Sequence, residues 1–149
     1  MIRTVLFCLA AALSVHAAAN AQLSKEDRRS LDRMMSGLPG LEGKALEQAI
    51  AKAETRPLGS RENPVRVEGP GGQRNYLAQL RCADGAAPKY QRSGNVGSGP
   101  YGSIMDLYAV DCGAAAPGQV EIFMDMYFRG HVETRAVPGF ALPTVGAKT

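Results

Sequence analysis

The sequence predicts an α+β domain: an N-terminal helical hairpin packed on a mainly antiparallel sheet and held by one disulfide. Three observations predict it. Apolar residues recur at helical spacing in the first third of the chain; after "RPLGS" the apolar runs become short and are punctuated by Gly and Pro; and an even number of cysteines remains once a leader is set aside. Helices followed by a run of strands form a layered α+β domain when the helices bury their apolar faces on the sheet.

The chain opens "MIRTVLFCLAAALSVHAAANAQ". A single early Arg, an apolar run and the small-x-small end Ala19-Asn20-Ala21 are the parts of a signal peptide, so residues 1–21 are expected to be removed and the protein to reach the periplasm or be secreted. The apolar run is shorter than the roughly 20 residues a spanning helix needs, and it contains His16 and Asn20. No stable membrane anchor is therefore expected after cleavage. Cys8 follows bulky Phe7, which does not suit lipid attachment.

Residues 22–56 read as the hairpin. Ser24 and Asp27 resemble a capping box, and Leu31, Met34, Met35 and Leu38 keep helical spacing, which predicts a helix over 24–36 stopped by Gly37 and Pro39. Leu41, Ala45, Leu46, Ala49, Ile50 and Ala53 share one face of a second helix over 41–54. Residues 57–140 read as the sheet, with strands at 65–67, 75–82, 89–92, 103–112 and 120–128. The breaks fall at "EGPGG" (68–72), "ADG" (83–85), "SGNVGSGPYG" (93–102) and "GAAAPG" (113–118), all rich in turn-forming residues. Residues 141–149 show no periodicity and read as a flexible tail.

Cys82 and Cys112 are the cysteines left after the leader, and an even count in an exported chain argues for their pairing, with two buried thiols as the alternative. The net charge of +3 over the whole chain is too balanced to imply nucleic acid or an anionic membrane as partner. Lys25, Arg28, Arg29 and Arg33 are interleaved with Glu26, Asp27 and Asp32, the pattern of a solvated helix face.

The stretches "IMDLY" (104–108) and "FMDMY" (123–127) place Asp and Tyr at the same offsets. Keeping the Met-rich faces together in a hairpin register sets Asp106 opposite Asp125, whereas a slip of one residue would put Asp106 on the Met face, where burial penalises it. Two carboxylates across a ladder need a shared proton, an Arg or a cation, so Asp106 and Asp125, with Tyr108 and Tyr127 beside them, are the candidate catalytic residues; the competing reading is two amphipathic strands with solvent-facing acids. The loop 93–102 leads from strand to strand rather than into a helix N-terminus and lacks the Lys-Ser/Thr of a phosphate cradle. It is instead read as a recognition loop, with Tyr101 and Asn95 as contact residues, against the alternative that Tyr101 packs the loop onto the domain. After the leader His131 is the lone histidine, and no Gly-x-Ser-x-Gly elbow occurs, so no histidine metal site is expected and His131 reads as a turn residue.

The stretches "NPVR" (63–66), "YLAQLRC" (76–82), "GPYGSIMDLYAVDC" (99–112) and "FMDMY" together resemble a group of uncharacterised exported proteins of Gram-negative bacteria. The resemblance covers about residues 59–140; it implies an exported, disulfide-bonded domain and carries no activity. The expected function is that of a non-enzymatic interaction module with a protein or cell-envelope partner, without cofactor or metal. The alternative is a hydrolase or cation-binding protein built on Asp106 and Asp125.

Overall fold

The structure is a computed structural model that describes Lys25 and residues 40–143. The expected leader, the 24–36 helix and the last residues of the expected tail lie outside these. Helix α1 (Gly43–Ala53) is followed by strand β1 (Val65–Arg66), helix α2 (Gly69–Gln79) and strands β2 (Lys89–Ser98), β3 (Ile104–Asp111) and β4 (Gln119–Asp125). The sheet order is β1-β4-β3-β2. β2, β3 and β4 form an antiparallel meander, while β1 runs parallel to β4. The fold is thus α+β as the sequence predicts, with a mixed sheet that is antiparallel except for the β1–β4 pair.

Residues 75–82, expected as a strand, are mostly helix, and "EGPGG", expected as a turn, is where that helix begins. Pro70 sits in its first turn, where proline's fixed φ and missing N–H cost nothing. Gln73, Tyr76, Leu77 and Leu80 then fall at i, i+3, i+4 and i+7, and all four are buried. This stripe lies on the inner face of the sheet, where Tyr76, Leu77 and Leu80 join Val65, Val67, Tyr108, Val110, Ile122 and Met124 in one core. The Met-bearing face of β4 therefore packs inward as its alternation predicts.

β3 is set in the register that the sequence analysis disfavoured. Asp106 is opposite Met124 and Met105 is opposite Asp125, one residue away from the pairing that joins the two aspartates. The burial penalty is met by partners from outside the hairpin. Gln73 Nε2 on α2 donates to Asp106 Oδ2 at 3.1 Å, and Arg92 on β2 donates to Oδ1 at 2.6 Å. Satisfied in this way, a carboxylate that is 3% exposed can sit on the core face.

The glycine-rich stretch 93–102 is also not a free loop. β2 continues through Ser98, with register shifts between Arg92 and Gly94 and between Asn95 and Ser98. Gly97 absorbs one irregularity at φ 82°, and its N–H is taken by Asn95 Oδ1 at 2.9 Å. The turn itself is confined to the residues after Ser98, where Gly99 N donates to Ser103 O at 2.8 Å.

Cys82 and Cys112 are bonded, with Cα atoms 5.8 Å apart, which ties the end of α2 to the end of β3. Tyr76 Oη donates to Arg135 O at 2.9 Å and accepts from Val137 N at 3.1 Å, so the segment after β4 is drawn back over α2. The expected tail begins later than residue 141, because Ala141 and Arg81 exchange two backbone hydrogen bonds and Leu142 packs on the core.

Candidate binding cleft

The outer face of the sheet carries the polar cluster of the molecule, and it starts from the alternation of "PVRV". Val65 and Val67 point into the core, so Arg66 points outward, directly beside Asp125 on the parallel β1–β4 pair. The guanidinium carbon of Arg66 lies 5.9 Å from the Tyr101 ring centroid and 5.8 Å from that of Phe128. Those two rings meet edge to face at 5.2 Å. At these distances the ring quadrupoles attract the guanidinium while its N–H groups can still make hydrogen bonds.

Asp125 does not neutralise it. Fully buried, its carboxylate accepts from Ser103 Oγ at Oδ2 and from Tyr127 N, at 3.0 Å, at Oδ1. Loss of hydration on burial outweighs these two donors and pushes its pKa up to about 6. Arg66 instead has Glu54 of the α1 C-cap 3.7 Å from Nη2, and Glu54 is shared with Arg135 at 3.4 Å. Arg135 in turn binds Glu133 through Nε at 2.9 Å and Nη2 at 3.0 Å. Burial opposes the charge of Glu133, but hydrogen bonds from Arg135 outweigh it and hold the carboxyl below its ordinary range. His131 is near this acid, Nε2 to Oε2 4.0 Å, yet desolvation and the charge of Arg66 lower its pKa below the ordinary value.

Between this cluster and α1 is a cavity of about 370 Å³. Arg66, Tyr101 and Ser103 form one side, Leu46 and Ile50 of α1 the other, with Tyr127, Arg129 and His131 around them. The α1 side is fixed by a close approach at Gly40, where a Cβ would collide with the Tyr101 carbonyl oxygen; Leu41 N donates to that same oxygen at 2.7 Å. Both buried side-chain nitrogens that have no hydrogen-bond partner among the described residues, Arg66 Nε and His131 Nε2, belong to residues lining this cavity.

The residues singled out in the sequence are distributed differently from the expected site. Asp106 faces inward and Asp125 outward, so the expected carboxylate pair across a shared face does not form. Tyr108 is on the inner face with Asp106, its hydroxyl donating to Gln73 Oε1 at 3.0 Å, and is part of the polar tie between α2 and the sheet. Tyr127 is 37% exposed at the cavity. Tyr101, expected as a surface contact, is 1% exposed and donates to Asn63 Oδ1 at 3.2 Å, so it packs the turn onto the domain; burial raises its pKa to about 12. Asn95 is exposed on β2, away from the cavity lining.

Arg66, Ser103 and His131 have no place in the expected site. The signal for Arg66 was present, a lone Arg between two valines in a short strand; Ser103 is brought to Asp125 by the pairing of β3 with β4, and Arg66 joins them by the pairing of β1 with β4. Ser103 bonds Asp125 directly and His131 is turned to Glu133, so the three are not strung as a Ser-His-Asp relay. Among the described residues no group of three or more His, Cys, Asp or Glu is gathered to hold a metal ion, and no helix is long and apolar enough to cross a membrane. Comparison with protein-family models, with curated proteins and with solved structures finds no match to this chain.

Proposed function

We propose that this protein is a small exported binding module of the bacterial envelope, without catalytic activity, and that it takes its partner into the cleft between α1 and the outer face of β1 and β4. The observation that carries this reading is the pair of buried, unpartnered nitrogens of Arg66 and His131 on one cavity. Buried polar groups without partners cost folding free energy, and a site that retains them is organised to receive a ligand's acceptors. The exported setting rests on the leader-like opening of the sequence and is in keeping with a disulfide, which persists in oxidising compartments.

Leu46→Arg tests it. Leu46 is half-exposed on α1, so the substitution fills the cleft without touching the core. The immobilised wild-type protein is expected to retain a specific component of an envelope extract that the variant does not retain. Capture undiminished by Leu46→Arg, or no component retained by the wild type, overturns the reading.

A further inference from the structure

Resting on that reading, we infer that the cleft is a subsite for a carboxylate carried on an apolar stem, anchored by the Arg66 guanidinium. Arg66 is 9% exposed, its guanidinium carbon lies 5.9 Å and 5.8 Å from the Tyr101 and Phe128 ring centroids, and its Nε has no hydrogen-bond partner among the described residues. Neither of its two nearest acids bonds Nε. Asp125 is engaged by Ser103 and by the Tyr127 backbone, and Glu54 is shared with Arg135 and approaches Nη2 rather than Nε. Nε–H and an Nη2 N–H of arginine form the parallel fork that matches the two oxygens of a carboxylate, so a bound carboxylate would share Nη2 with Glu54, 3.7 Å away. His131 Nε2, without a hydrogen-bond partner among the described residues, can donate to the same group when it carries its proton.

The rest of the cavity sets what the carboxylate is attached to. Leu46 and Ile50 of α1, with Leu41 just before it, make most of that wall aliphatic beside Glu42, which suits an alkyl chain or an apolar side chain. The charge also selects. Arg66, with Glu54 3.7 Å away, and the lining residues Arg129 and Glu42 leave little net positive charge, which suits a monoanion better than a phosphate dianion. The volume is at the lower end of ligand pockets, enough for a medium-chain acid or the last residue of a peptide.

The probes are octanoate and N-acetyl-alanyl-leucine, each with a neutral counterpart, 1-octanol and the peptide amide, titrated into the oxidised protein and followed by amide and Arg Nε–H NMR signals. The two acids are expected to shift the signals of Arg66, Phe128 and His131, the neutral probes to bind at least about tenfold more weakly, and Arg66→Gln to weaken the acids by a similar factor. The tighter acid identifies the source of the carboxylate. Arg129→Ala, at an exposed position that cannot unsettle the fold, is expected to weaken the acids about two- to threefold.

Neutral probes that bind as tightly as the acids, or acids that bind folded Arg66→Gln with wild-type affinity, overturn the inference. If Arg66→Gln does not fold, wild-type affinity in Arg129→Ala together with equal binding of acid and neutral probes overturns it. Should no probe bind while Leu46→Arg still abolishes capture from the extract, the carboxylate inference falls and the binding-module reading stands. Both fall if no probe binds and Leu46→Arg changes nothing.

Discussion

Asp125 is the residue at which burial and charge are least reconciled. Its oxygens have two donors, but no cation bonds it, and desolvation raises its pKa from 3.8 to about 6. A raised acid pKa means that the folded state binds the proton more tightly than the unfolded chain. The associated stability is fully present below the unfolded pKa, declines as pH rises through the folded value, and is absent above it. At 1.36 kcal/mol per unit, a shift of this size corresponds to about 3 kcal/mol. Asp125→Asn removes the titration while keeping shape and hydrogen bonding. Chemical denaturation of both proteins at several pH values is expected to show the variant gaining on the wild type by up to about 3 kcal/mol between pH 4 and pH 7. A constant difference across that range would mean that Asp125 folds ionised at no cost. Asp106, buried on the other face, has both Arg92 and Gln73 as hydrogen-bond donors. The repeat in "IMDLY" and "FMDMY" was therefore legible as two acids needing company, but not whose company each would keep.

At the scale of elements, α1, β1 and β3 follow from periodicity within a residue or two and β4 ends three residues earlier than expected, because each either keeps one clear apolar face or lies between strong breakers. α2 does not. "NYLAQLRC" also alternates, Tyr76, Ala78, Leu80 and Cys82 on one side, and three glycines at its start weaken any helical reading. The contest is settled by tertiary packing: as a helix the segment buries Tyr76, Leu77 and Leu80 together on the sheet. The β1–β4 pairing was equally hidden, since parallel neighbours so far apart in sequence leave no local trace. Because α2 is held by packing more than by propensity, Leu77→Ala, at a fully buried position, is expected to cost about 2–5 kcal/mol. Equilibrium denaturation monitored by far-UV circular dichroism checks this. A loss below about 1 kcal/mol would mean that α2 is not anchored by this stripe.

On the scale of the whole molecule, the disulfide and the cleft occupy opposite ends of the logic of the fold. Cys82–Cys112 joins α2 to the far end of β3 on the side of the core, whereas the Arg66 cleft is assembled on the outer face by β1, β4, the 99–103 turn and α1. Closing a thirty-residue span reduces the entropy of the unfolded chain by an amount equivalent to roughly 3–4 kcal/mol, largely independent of contacts in the native cleft. The double substitution Cys82→Ser and Cys112→Ser is therefore expected to lower the unfolding free energy by about 2–5 kcal/mol. Under conditions where the variant remains folded, the NMR signals of Phe128 and His131 should stay where they are in the oxidised protein. Large shifts of those signals in a folded, reduced protein would show instead that the crosslink sets the geometry of the cleft. Binding would then depend on the redox state of the compartment, a coupling that the separation of the two regions argues against.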